Sequence, residues 1–292
     1  MANQINQISC KKCGICIETC PENVLYTDSE GNTNFNPMTL HLCVKCAQCM
    51  AVCPSDSIRI EGIDAESTLI NPGEDGVDYD QFRSFLSKRR SIRVFKDKVV
   101  PRSLIEKMID ACSLTPYGFN PQSVHITVID DKVLLHEAYL KICALYQNLG
   151  KMMGKPISRF FVKRHVDDAT YKTLLHHILP IIKMGRFNPD YGKDNILRNA
   201  PVLMIFHGKI DASEHIEDGW INTTYAMLAA HSLGLGTTVI GLVPPAINRN
   251  NEIKGLFGIP EDHEAISSLI IGFPKFKYKR SIYRPKQSIN WM

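Results

Sequence analysis

Residues 10–21 read CKKCGICIETCP and residues 43–54 read CVKCAQCMAVCP. Both spell Cys-x-x-Cys-x-x-Cys-x-x-x-Cys-Pro, and the second begins at Cys43, 33 positions after Cys10. Eight of the ten cysteines thus lie in the first 53 residues of a 292-residue chain, leaving Cys112 and Cys143 for the rest. An even count invites a disulfide reading, but disulfide frameworks belong to small exported domains. The opening MANQINQISCKKC has no apolar stretch of the kind an export signal needs. With 44% hydrophobic and 22% charged residues, the composition is that of a globular protein with a sizeable core. A net charge of +4 is too small for a dedicated nucleic-acid binder, and no apolar run is long enough for a membrane span.

The spacing resembles that of bacterial two-cluster ferredoxins, in which the fourth cysteine of each run ligates the other cluster. That resemblance implies one [4Fe–4S] cluster on Cys10, Cys13, Cys16 and Cys53, and a second on Cys43, Cys46, Cys49 and Cys20. Soft thiolates suit iron–sulfur chemistry, and two-residue gaps let one loop wrap three corners of a cube. Structural zinc also uses Cys-x-x-Cys pairs, but two four-cysteine runs each closed by proline fit it poorly. A segment of about 60 residues has little core of its own, so the clusters are expected to hold it together.

Outward from the cysteines, Ser57–Gly62 alternates like a closing strand, and residues 63–78 are acidic, turn-rich and aperiodic. The expected organisation is a ferredoxin domain over 1–62, a linker over 63–78 and a larger domain over 79–292. Within the larger domain, Phe82, Phe85 and Leu86 recur at helical spacing, as do Ile105, Met108, Ile109 and Cys112 behind Pro101. Strands are expected at 124–129, 202–206, 237–242 and 265–272, and helices at 131–149, 219–233 and 246–257. This mixture predicts an α+β domain. Residues 151–200 hold ten Lys/Arg against four Asp/Glu and read as a solvated basic helix pair. The neighbours His176 and His177 would point about 100° apart on a helix and make a poor metal site. Cys112 and Cys143 fall on apolar helix faces and read as core.

Four short pieces in this domain carry chemistry. Arg89-Arg90-Ser91-Ile92-Arg93 alone is an ordinary basic helix end, yet its guanidinium forks and hydroxyl suit a phosphate. Residues 115–123 (TPYGFNPQS) form a Pro/Gly turn, HSLGLGTTVIGL passes from helix to strand, and IGFP leads into the basic tail KFKYKRSIYRPK. In this order and spacing the four pieces resemble the FMN-dependent nitroreductase family over about residues 79–292. The whole chain is similar to ferredoxin-fused members of that family.

The resemblance implies roles position by position. Arg89, Arg90 and Ser91 match the motif that holds the FMN phosphate and ribityl chain. Arg93 matches a cation near the pyrimidine side of the isoalloxazine, where positive charge stabilises reduced flavin. Pro116, Tyr117, Gly118, Asn120 and Gln122 match a turn contributed to the flavin across a dimer interface. Gly241 and Leu242 match the backbone at the flavin N5 edge, and Arg284, supported by Arg280, a basic position at the phosphate. Tyr117 stands where many relatives carry a small residue, and Val124-His125 replaces a common aromatic; both bear on substrate preference. No protein side chain is assigned as catalytic, because the flavin carries the chemistry.

The fold expected is an α+β homodimer with FMN at the interface. The activity expected is passage of electrons from the two clusters, or from NAD(P)H, through FMN to nitroaromatic, quinone or similar acceptors. Alternatives are an electron-transfer module between a ferredoxin-type donor and a protein partner, or a reductase of enoate or halogenated substrates. The sequence has no G-x-G-x-x-G fingerprint for a dedicated dinucleotide-binding domain. Oxygen-sensitive clusters point to the cytoplasm, and neither nucleic acid nor membrane is expected as a partner.

Overall fold

The computed structural model describes residues 2–74, 76–118 and 123–292. The chain divides into two compact units, one drawn from residues 1–77 and the other from residues 78–118 and 122–292.

In the first unit the sequence repeat is also a backbone repeat. Lys12 and Lys45 have φ of 50° and 55°, and Gly14 and Ala47 have 76° and 59°. Asn23 and Asp56, again 33 positions apart, have 50° and 47°. Left-handed residues cost an L-amino acid about 1–2 kcal/mol each, so three matched pairs are held for a reason. Alternation of left- and right-handed residues turns successive N–H groups inward, which suits a negatively charged occupant. Each loop then enters a short helix, Ile15–Thr19 or Gln48–Ala51, capped by Gly14 or Ala47. Two small antiparallel pairs close the unit: Leu25–Thr27 with Thr33–Phe35, and Gln4–Ile5 with Ile58–Arg59. Leu25, Met50, Ile58 and Ile60 are its buried apolar centre, a core small enough to need reinforcement.

The second unit is built on a four-stranded antiparallel sheet in the order Val124–Ile129, Val202–Lys209, His263–Gly272, Gly236–Val239. Val202–Lys209 is buried along nearly its whole length, which explains its unbroken apolar run. Its alternate residues face two different cores. Leu203 and Ile205 pack with Ala138, Ile142 and Tyr146 of the helix Lys132–Met153. Met204 and Phe206 pack with Met108 of Arg102–Cys112 and with Ala226 and Ala230 of His215–Ser232. The result is a sheet covered by helices on both faces, an α+β sandwich. Cys112 and Cys143 are buried in these two cores.

One expected helix is two. Val243–Asn248 ends, the chain leaves helical geometry at Arg249, and the Asn250 side chain caps Asn251–Leu256 by accepting from Ile253 N at 3.0 Å. The basic segment contains Pro156–His165, Asp168–Thr173 capped by Asp167, a π-helical turn over Leu174–Ile178, and Leu179–Lys183. Among the described residues, no helix is long and apolar enough to cross a membrane.

Candidate functional site

The eight N-terminal cysteines form two electrostatic quartets. Burial pushes the Cys16 thiol up, and its charge is opposed by Cys53, Cys10 and Cys13. Burial pushes Cys49 up to about 12, with Cys46, Cys43 and Cys20 adding to the effect. Each quartet thus takes its fourth member from the other run. Cys10, Cys13, Cys16 and Cys53 also line one cleft, with Pro54, Ser55 and Ser57. Among the described residues, no three His, Cys, Asp or Glu side chains are grouped to hold a single metal ion. The quartets are recognised instead by their coupling and by donors aimed at sulfur. Lys12 N lies 3.5 Å from Cys10 Sγ, and Ser57 N lies 3.4 Å from Cys53 Sγ. Burial raises the Cys53 thiol, but the amides of Ser57 and Ser55 and their hydroxyls outweigh it and hold the group below its usual range. Soft ligands, inward amides and mutual repulsion between thiolates fit a cationic iron–sulfur core.

In the second unit the helix Tyr79–Lys88 ends at Arg89, and the chain then lies against the sheet edge. Ser91 bridges Thr237, and Ile92 N donates to Thr237 O at 2.9 Å. These contacts fix Arg89 and Arg90 beside one another. Arg90 Nη1 donates to the Arg89 carbonyl at 2.7 Å, but Arg90 Nε and Nη2 are buried without a partner. Burial lowers the Arg89 guanidinium from its ordinary value, and the charges of Arg90 and Arg284 lower it further. Arg284 acts on Arg89 by charge from the exposed, irregular tail, in which Arg280 also lies exposed. Buried, unpaired guanidinium nitrogens beside two more cations fit a doubly charged oxyanion such as a phosphate.

Gly118 and Ser123 are clasped by a residue the motif reading missed. Asp218, 2% exposed, accepts from Gly118 N at 3.1 Å and from Ser123 Oγ at 2.8 Å. Asn222, one helical turn on, donates to Thr115 Oγ1 at 3.2 Å. A Cβ on Gly118 would lie 1.7 Å from Glu214 Oε2, so only glycine fits here without displacing that side chain. Pro116 and Tyr117 belong to the same turn; Asn120 and Gln122 fall outside the described residues. Signals for Asp218 existed, since a buried carboxylate needs donors, but its sequence neighbours give no hint of which.

Gly241 is exposed at the end of the strand Gly236–Val239, with open space where a Cβ would stand. Leu242 O accepts from Tyr146 Oη at 2.7 Å. Gly241 lines a cleft with Trp220, Pro244 and Arg249. Arg93 does not line that cleft. It borders a separate cavity of about 660 Å³ with Lys96, Lys98, Lys193 and Arg198. Arg198 has φ of 58° and its Nε is buried without a partner. Burial and the Arg93 charge lower the Arg198 guanidinium, while Asp194 opposes them. The structure thus pairs Arg93 with a second arginine that no motif announced.

Two family profiles match the chain: the Nitroreductase family over residues 86–273, and a 4Fe-4S dicluster domain over residues 9–67. A protein of Archaeoglobus fulgidus provisionally named an NADH dehydrogenase/NAD(P)H nitroreductase is 25% identical over 192 residues, covering 64% of this chain and 82% of that one. An FMN reductase [NAD(P)H] of Bacillus subtilis is 27% identical over 207 residues, covering 70% of each. A nitroreductase of Bacteroides fragilis, solved with bound FMN, superposes with a TM-score of 0.53 at 18% identity, covering 72% of this chain and 98% of that one. The basic start of the second unit, its sheet and the profile match over most of the chain agree: the chain belongs to the Nitroreductase family and carries an N-terminal 4Fe-4S dicluster domain.

Proposed function

We propose that this protein is an FMN-dependent oxidoreductase in which electrons from two [4Fe–4S] clusters, or from NAD(P)H, reduce nitroaromatic, quinone or similar acceptors. The observation that carries the reading is Arg90, whose Nε and Nη2 are buried without partners beside Arg89 and Arg284. A buried guanidinium left unpaired is costly, and a phosphate monoester restores its hydrogen bonds. The FMN-reductase relative and the FMN-bound structural neighbour support the same cofactor.

When bound, FMN exchanges electrons singly or in pairs and so joins one-electron clusters to two-electron substrates. The residues of the chain supply everything else. Arg89, Arg90 and Arg284 hold the phosphate, with Ser91 positioned by its bridge to Thr237. Arg93 is the cation that the resemblance assigns to the pyrimidine end; it borders a cavity with Arg198 that is separate from the cleft of Gly241. Asp218 holds Gly118 and Ser123 on either side of the segment whose Pro116, Tyr117, Gly118, Asn120 and Gln122 the resemblance assigns to the flavin, and the exposed Gly241, next to the half-buried Leu242, would admit the ring edge. Cys10, Cys13, Cys16 and Cys53 bind one cluster, and Cys20, Cys43, Cys46 and Cys49 the other. The functional division follows residues 1–62, a linker over 63–78, and 79–292. The active form is a cytoplasmic homodimer.

Anaerobic optical titration of the fully loaded protein tests the reading and its electron donor. Prompt bleaching of a flavin band by NADH or NADPH makes the protein a self-sufficient reductase. Bleaching only by reduced ferredoxin makes the clusters the entrance. Absence of flavin absorbance after incubation with FMN refutes the proposal.

A further inference from the structure

The two cysteine quartets share a backbone but not a hydrogen-bonding environment. Shifting by 33 positions takes Cys20 to Cys53, Glu22 to Ser55 and Val24 to Ser57. Val24 and Ser57 are both buried, at 3% and 2% exposure, so the repeat places a methyl-bearing side chain and a hydroxyl in corresponding interior positions.

On the serine side a connected chain of donors surrounds the sulfurs. Ser57 N lies 3.4 Å from Cys53 Sγ, and Ser55 Oγ lies 3.8 Å from the same atom. Ser57 Oγ is 2.9 Å from Ser55 Oγ and 2.8 Å from Ser9 Oγ, so both hydroxyls are held in place. Across the cleft, Lys12 N lies 3.5 Å from Cys10 Sγ, whose thiol in turn donates to Thr33 Oγ1 at 4.0 Å. On the other side the Met50 amide reaches Cys49, but among the described residues no side-chain hydroxyl reaches the sulfur of Cys20, Cys43, Cys46 or Cys49. Cys13 and Cys46, equivalent by the repeat, are both exposed, whereas Cys16 is buried and its equivalent Cys49 half-buried.

Reduction adds one electron, and one negative charge, to an iron–sulfur cluster. Donors directed at the ligating sulfurs stabilise the more negative state and raise the potential, most of all where the surroundings are dry. We propose that Ser55 and Ser57 make the cluster of Cys10, Cys13, Cys16 and Cys53 the higher-potential member of the pair. The first electron entering the domain then rests on that cluster, and the quartet of Cys20, Cys43, Cys46 and Cys49 holds the stronger reductant. This inference rests on the iron–sulfur reading of the two quartets.

The test is an anaerobic redox titration of the full, cluster-loaded chain followed by electron paramagnetic resonance, with iron counted on the same sample. The expected result is two separate one-electron steps at about eight iron per chain. Ser55→Ala removes the hydroxyl beside Cys53, and Ser57→Ala, which keeps its amide, removes the hydroxyl that anchors Ser55 Oγ, so each moves only the upper step downward. Val24→Ser, the reciprocal change, moves only the lower step upward. Should Ser57→Ala lose iron, Ser55→Ala and Val24→Ser still decide the question. At full iron content, a single coincident step, or serine variants that shift the lower step or neither, would overturn the proposal. A wild-type chain that takes up no iron would instead overturn the iron–sulfur reading, and the serine assignment with it.

Discussion

Gly236 lies directly beneath Ile92. A Cβ built on Gly236 would stand 2.6 Å from Ile92 Cγ1, so the glycine lets the Arg89–Arg93 segment lie against the sheet. Gly236→Ala is expected to push Ile92 outward and tilt the arginines beside it. Overpacking of this kind costs about 1–3 kcal/mol. The chain should therefore lose FMN affinity while keeping its iron, which the ratio of flavin to iron in the purified protein would reveal. An unchanged ratio would mean that Ile92 does not position the basic segment.

Arg90 separates a binding role from a structural one. Its partnerless buried nitrogens make it a burden on the flavin-free protein. Arg90→Ala should leave the Tm of flavin-free protein unchanged or higher. The same substitution should weaken FMN binding about tenfold to hundredfold, the range for a lost hydrogen bond to a charged group. A lowered Tm of the flavin-free protein with normal FMN affinity would contradict this assignment.

The crossed pairing of the cysteines has a distinct signature. Cys53→Ala should spoil the site otherwise formed by Cys10, Cys13 and Cys16, and Cys20→Ala the site of Cys43, Cys46 and Cys49. Combining Cys53→Ala with Cys16→Ala should then be little worse for iron content than Cys53→Ala alone, because both remove ligands from one cluster. Combining Cys53→Ala with Cys49→Ala should strip both sites. The reverse pattern would show that each run serves its own cluster.

Acid sensitivity should arise at a histidine group on the sheet. His207 Nδ1 and His263 Nδ1 are 2.9 Å apart, and the His125 ring lies 4.7 Å from that of His263. Burial, His263, His125 and Lys254 lower His207 to about 4. His263 is also lowered, by burial, His125, Lys209 and Lys254, with Asp262 opposing. A depressed pKa contributes stability that is present above the unfolded value near 6.5 and is lost as pH falls toward 4. His215 has the opposite sign: burial opposes protonation, but Glu264 and the Ala212 carbonyl raise it, so its contribution fades as pH rises. His207→Gln should flatten the fall in urea midpoint of the second unit between pH 7 and pH 5. An equally steep fall in the variant would locate the acid sensitivity elsewhere.

The cysteine runs were legible because ligand spacing is written in consecutive residues. The strand at 124–129 was equally plain, since its boundaries coincide with turn residues on either side. Arg89 and Arg90 lie next to a bridge between Ser91 and Thr237, a contact that only the folded sheet supplies. What escaped the sequence depends on three-dimensional register. His125, His207 and His263 are far apart in the chain and meet only because two strand pairings bring them together. Arg198 owes its position to a left-handed backbone that an arginine does not advertise. The helix expected over 246–257 splits because Asn250 caps a new start, a local preference that overrode the apolar periodicity.

The most direct test of the account is a count of cofactors and of the electrons they accept. Full-length protein loaded anaerobically with iron, sulfide and FMN would be analysed for flavin and iron, then titrated with dithionite. The account predicts one FMN and about eight iron per chain, with about four electrons taken up: two by the flavin and one by each cluster. Uptake of about two electrons with flavin but no iron, or with iron but no flavin, would contradict it.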